Sequence, residues 1–113
     1  MFTYGNLLDV TIQDVLELWN KEAPFDTMTV KTFSQKILAD RNFDASRTVV
    51  ALKDGKIVGF LLGVCRKYPY AKRGLEPERA FIRMIVVDKS YQRQGIGRDM
   101  LKIFEDHVLR EGR

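Results

Sequence analysis

Ala80-Phe81-Ile82-Arg83-Met84-Ile85-Val86-Val87, followed after four residues by Gln92-Arg93-Gln94-Gly95-Ile96-Gly97, is the stretch whose reading decides the fold. The first part is nearly continuous apolar sequence rich in β-branched residues, which predicts a strand buried on both faces. Beyond the glycines, Ile96, Met100, Ile103, Phe104, His107 and Val108 recur at helical spacing, with Arg98, Asp99, Lys102, Glu105 and Asp106 between them. The stretch therefore reads as strand, glycine-bearing turn and amphipathic helix. In such a turn the unpaired N–H groups of the first helical turn and the positive end of the helix dipole face outward. That combination is suited to an anion, and phosphate is the leading candidate.

Upstream, Asp54-Gly55 separates two β-rich runs, Thr48 to Lys53 and Lys56 to Arg66, and predicts an antiparallel hairpin. Thr11 is a suitable N-cap, with Asp14 placed to answer it, and Ile12, Val15, Leu16 and Trp19 share one helical face as far as the stop at Pro24. From Thr29, the residues Val30, Phe33, Ile37 and Leu38 repeat the helical period until Asp40-Arg41-Asn42 breaks it. Met1 to Leu8 offers Phe2, Tyr4 and Leu7 for an edge strand that Gly5-Asn6 weakens. Lys67 to Arg79, with Pro69, Gly74 and Pro77, is too broken for regular structure and reads as a loop bordering a substrate site. The order is β, α, α, β, β, β, α. It implies an α/β fold with a mixed sheet and the glycine turn at the carboxyl end of the fourth strand, the edge where open sheets hold ligands.

A chain of 113 residues that is 45% hydrophobic supports one small core, so residues 1–113 are read as a single domain or part of one. A net charge of +4 suits a basic patch aimed at a polyphosphate better than a nucleic-acid surface, and no nucleic-acid motif is present. The apolar runs fall short of the roughly 18 to 20 residues that cross a bilayer. The single cysteine, Cys65, cannot form an intrachain disulfide, and the N-terminus lacks a signal-peptide pattern, so cytoplasm is the default location.

Three phosphate-binding turns compete for Gln92 to Gly97. A P-loop needs Gly-Lys-Ser or Gly-Lys-Thr to supply an ammonium and a hydroxyl for magnesium, and here Gly97 is followed by Arg98-Asp99. A dinucleotide fingerprint needs a third glycine where Met100 stands. The third reading fits. Gln-x-x-Gly-x-Gly, entered from Ile85-Val86-Val87 and leaving through Met100-Leu101, resembles the coenzyme A signature of the GNAT superfamily of N-acetyltransferases. The two early helices, the Asp54-Gly55 hairpin and the broken loop before strand four fall in the order that family shows. The chemistry agrees, because glycines at 95 and 97 remove the Cβ atoms that would keep backbone amides from a pyrophosphate.

The resemblance implies a GNAT-like acyl-CoA N-acyltransferase fold with acetyl-CoA as the acyl donor, transferred directly to an amine. It implies that backbone groups of Ile85 and Val87, with Val86 between them, pair with the pantetheine arm, and that amides from Gln92 through Arg93, Gln94, Gly95, Ile96, Gly97 and Arg98 hold the pyrophosphate. Arg93, Arg98 and Lys89 would add charge at the rim. In several family members a glutamate on strand four is the general base, but the matching position is Phe81. Glu78, and behind it Glu76, could act through a water instead, although solvated loop carboxylates are the blander reading. The tyrosine acid of the family belongs to a later helix. The resemblance covers the N-terminal larger part of the family's domain and is truncated after the helix that follows strand four.

An exposed strand-four edge predicts self-association or strand exchange, and a chain of this length that is not a competent monomeric enzyme. The alternative is a non-catalytic CoA-binding or dimerisation module. Of the remaining tempting residues, His107 reads as a packed histidine and Cys65 as a small buried hydrophobe. Tyr68 and Tyr70 read equally as loop aromatics packed on the core.

Overall fold

Local chemistry dictates structure most directly at the hairpin. Asp54 and Gly55 take φ of +51° and +80°, the two left-handed residues that a tight two-residue connection requires. They join β2 (Thr48–Lys53) to β3 (Lys56–Cys65), with Lys53 opposite Lys56. The computed structural model describes residues 2–39, 43–65 and 80–110, and statements below concern those residues. The remaining strands and α-helices are β1 (Thr3–Gly5), α1 (Ile12–Glu22), α2 (Val30–Phe33), β4 (Ala80–Val87) and α3 (Ile96–Arg110).

The strands form one antiparallel sheet in the order β1-β2-β3-β4. One face is covered by α1, α2 and the turn that follows α2, whose Val15, Leu16, Trp19, Phe33 and Ile37 pack on Val50, Phe60, Leu62, Met84 and Val86. The other is covered by α3, whose Ile96, Met100 and Phe104 pack on Val49, Ala51 and Leu61. The predicted helical stripes thus become the two cores. Close approach of α3 depends on two glycines of β3. A Cβ at Gly59 would stand 3.0 Å from Ile96 and 3.1 Å from Met100, and one at Gly63 would fall within the ring of Phe104.

Thr11 caps α1 by accepting from the Asp14 amide at 3.2 Å, and the Ala23 amide closes it on the Trp19 carbonyl just before Pro24. The connection to α2 is then pinned by side chains. Trp19 Nε1 donates to the Asp26 carbonyl at 2.7 Å, while Asn20 accepts from the Met28 amide and donates to its carbonyl.

Two expectations need correction. The second helix is not regular, because after Phe33 it widens into a π-helical turn over Ser34–Leu38, closed by Ala39 N–H on the Ser34 carbonyl. Phe33 and Ile37 still face the sheet, while Val30, at the start of α2, is half exposed. Strand β4, in turn, is not buried on both faces. It is the edge strand of the described sheet, and its register slips at Arg83, with Leu62 opposite Met84 but Gly63 opposite Ile82. That bulge leaves Met84 and Val86 against α1, Arg83 exposed and Ile85 40% exposed at the rim.

Candidate cofactor-binding site

The site begins at Asp88, where β4 ends. Asp88 N–H donates to the Val58 carbonyl at 2.8 Å, its carboxylate accepts from Ser90 N–H at 2.9 Å, and its carbonyl accepts from Tyr91 N–H at 2.8 Å. These bonds shape the single 3-10 turn Lys89–Tyr91. The carboxylate is 1% exposed as a residue and is met by Lys21 Nζ at 2.8 Å, while neighbouring Glu22 accepts from Lys89 N–H at 2.9 Å. The Lys21 hydrogen bond holds the Asp88 carboxyl below its usual range although burial acts the other way. The same bond raises Lys21 above the ordinary lysine value. The end of α1 therefore grips the chain just ahead of the glycine turn.

The turn itself is strongly bent. Arg93 and Gly95 take φ of +66° and +83° on either side of Gln94, a left-handed conformation that a glycine adopts freely and an arginine only when its surroundings enforce it. The first amide bonded within the α3 backbone is Asp99 N–H, which donates to the Gly95 carbonyl at 2.9 Å. The amides of Ile96, Gly97 and Arg98 come before that bond, and their helix has a positive end here. The Arg98 guanidinium folds back over the turn, reaching within 3.3 Å of where a Gly95 Cβ would be. Gly97 is different. A Cβ there would meet nothing nearer than Val87 Cγ2 at 3.8 Å, an ordinary contact, and no left-handed φ demands a glycine. Neither the packing nor the backbone of the described chain explains the missing side chain.

Beside the turn runs the free edge of β4. The bond from Asp88 N–H to Val58, with the antiparallel alternation, directs the backbone groups of Met84 and Val86 to β3 and those of Ile85 and Val87 outward. Gln92 Nε2 already donates to the outward Val87 carbonyl at 3.2 Å. A groove of about 430 Å³ joins edge and turn. Of the residues expected at the site, Ile85, Val86, Val87, Gln92, Arg93, Gly95, Ile96, Gly97 and Arg98 line it, and Gln94 does not. Gln94 is exposed on the outside of the bend. Tyr91 also lines the groove and escaped the sequence reading; its position just before the glutamine was the available signal. Glu76 and Glu78, the loop tyrosines and the rest of Lys67 to Arg79 lie outside the described residues, and so does the side chain of Phe81.

Two further features bear on charge. Tyr4 OH donates to Asp99 Oδ2 at 2.9 Å, tying β1 to the first turn of α3, and burial with this bond pushes the phenol up to about 12. A larger cavity of about 560 Å³ lies on the opposite side of the sheet, between α1 and the hairpin. Its walls carry Asp9, Asp14 and Glu17 besides the paired Lys21 and Asp88, with Lys56 a further cation, and its helix N-terminus is already capped by Thr11, so it suits an anion less well than the glycine turn. Among the described residues no group of three or more His, Cys, Asp or Glu side chains is placed to hold a metal, and no helix is long and apolar enough to cross a membrane.

No curated protein sequence matches the chain. Among solved structures, it superposes on the ribosomal-protein-S18-alanine N-acetyltransferase of Escherichia coli with a TM-score of 0.72 at 20% identity, covering 99% of this chain and 62% of that one. An aminoglycoside 6'-N-acetyltransferase of Acinetobacter baumannii gives 0.70 at 17% identity, over 99% of this chain and 74% of that one. Diaminobutyrate acetyltransferase of Paenibacillus lautus, solved with L-2,4-diaminobutyric acid and coenzyme A, gives 0.68 at 24% identity, over 94% and 57%. The chain thus spans less than two thirds of the length of two of these proteins. A profile described as the acetyltransferase (GNAT) family matches residues 12–113, so the chain belongs to that family.

Proposed function

We propose that this chain is the acetyl-CoA-binding part of an N-acetyltransferase that passes acetyl directly from the thioester to an amine. The outward N–H and C=O groups of Ile85 and the outward N–H of Val87 would pair with the amides of the pantetheine arm as an added strand would. The amides of Ile96, Gly97 and Arg98, backed by the Arg98 guanidinium, would take the pyrophosphate. The amine lone pair then attacks the thioester carbonyl, the C–S bond breaks, and the proton lost by the amine ends on the thiol. Glu78, acting through a water, is our candidate for the base.

The observation that carries this reading is the unexplained glycine at 97: the described chain leaves room for a Cβ where a pyrophosphate would approach. Gly97→Ala is therefore the informative variant. Substitution at Gly95, with φ of +83°, would strain the backbone whatever binds. In a helix, Gly→Ala stabilises by up to about 1 kcal/mol. The variant should melt at or above the parent temperature and lose CoA affinity at least ~10-fold by calorimetric titration. Unchanged affinity would remove the basis of the proposal.

Phe81 at the position of the family's glutamate base favours a second reading, a CoA-binding or dimerisation module without catalysis. Thiol release from acetyl-CoA in the presence of a panel of primary amines separates the two. Binding without release of thiol by any of them selects the second.

A further inference from the structure

The Lys53 ammonium is held by aromatic rings. Its Nζ lies 5.3 Å from the centroid of Phe2 and 5.9 Å from that of Tyr91, and these rings meet edge to face at 6.1 Å and 86°. Among the described residues no carboxylate pairs with it. Its backbone is fixed at the last position of β2, opposite Lys56 across the hairpin turn, and stacking removes much of the freedom a surface lysine has. Tyr91 is the link to the groove: the ring that supports Lys53 belongs to a residue lining the same groove as Gln92, Arg93 and Gly95. An uncompensated, positioned cation thus stands one side chain away from the phosphate turn.

We propose that Lys53 forms a second phosphate subsite, which takes the 3'-phosphate on the adenosine ribose of coenzyme A and so distinguishes CoA from 3'-dephospho-CoA. This rests on the cofactor reading above and deepens it. Coenzyme A carries a pyrophosphate and, one ribose away, a separate phosphomonoester dianion. The α3 amides and Arg98 account for the first; for the second, the described chain offers Lys53, whose ammonium is positioned by two rings, beside Arg93 of the groove wall. A cation seated on aromatic faces meets a dianion without first breaking an ion pair, which is the economical arrangement for such a group.

The test is calorimetric titration of the whole chain, and of Lys53→Met and Lys53→Arg, with CoA and with 3'-dephospho-CoA. The parent should prefer CoA on the order of ten-fold, the scale of one charge-assisted contact. Lys53→Met should bring the ratio close to one by weakening CoA alone, and Lys53→Arg should keep most of it. Equal affinity of the parent for both ligands overturns the subsite and leaves the cofactor reading standing. So does an equal loss of both ligands in Lys53→Met, since Lys53 would then serve the pyrophosphate or the fold. If the parent binds neither ligand, the cofactor reading fails and the subsite falls with it.

Discussion

Replacing Gly63 by alanine tests the packing that brings α3, and with it the glycine turn, onto the sheet. Glycine in a strand interior is ordinarily unfavourable, so the substitution alone should stabilise by about 0.5–1 kcal/mol. Against this, the new Cβ falls within the ring of Phe104, a side chain 5% exposed in the core under α3. Inserting a methyl into a filled core costs about 1–3 kcal/mol, and complete loss of a buried phenylalanine's packing, about 3–5 kcal/mol, bounds the damage from above. The overpacking term is the larger, and a net loss of about 1–2 kcal/mol is expected. Urea unfolding should show this as a lower midpoint with an unchanged slope. Gly63→Ala combined with Phe104→Leu should recover part of the loss, giving a coupling energy of at least ~0.5 kcal/mol because the smaller side chain vacates the contested space. A Gly63→Ala protein as stable as its parent, or more so, would refute the account of how α3 is seated.

Lys21→Met removes the partner of Asp88 and should destabilise by about 1–3 kcal/mol, discounted because the Lys21 side chain is 55% exposed. The carboxyl is held below its usual range, so its contribution is complete above about pH 4 and disappears as pH falls through the lowered folded value. Lys21 is raised, so its share is present below about pH 10 and disappears as pH rises through the higher folded value. The stability difference between parent and variant should thus be a plateau that shrinks at both ends; a difference that grows on acidification would contradict the pairing. For Tyr4, an absorbance titration assigned with Tyr4→Phe should find the phenol near 12. Asp99→Asn should lower it only in part, because burial is the larger cause and the carboxylate the smaller.

What was legible in the residues, and what was not, follows from where each signal resides. The Asp54-Gly55 hairpin, the Thr11 cap and the α3 stripe depend on neighbours within one or two turns of chain, and the structure reproduces them. The order of strand, glycine turn and helix was equally local and led to the family. The reading of β4 as doubly buried failed because the Arg83 bulge is set by the pairing with β3, and an apolar run alone does not report which of its side chains the rest of the chain covers. The π-helical turn after Phe33 escaped for a related reason, since i to i+4 spacing predicts helix without predicting its pitch. At the site, Gly95 and Gly97 look alike in sequence but differ in structure: one is needed for its φ and the other is not. The grip of Lys21 and Glu22 on Asp88 and Lys89 joins positions 67 apart and had no local signature. Nor did the meeting of Lys53 with Phe2 and Tyr91.

That long-range grip has a consequence for how the domain opens. The Lys89 amide is bonded to a carboxylate on α1 and the Ser90 amide to one secured by Lys21, so lifting α1 from the sheet removes the first acceptor and loosens the second. In native-state hydrogen exchange, these two amides should therefore share the opening free energy of the middle of α1, although they sit in a short surface turn whose own backbone bonds could not protect them to that degree. The N-terminal helix and the lip of the anion turn would constitute one cooperative unit. Anything that binds the turn would slow exchange in a helix on the far side of the sheet.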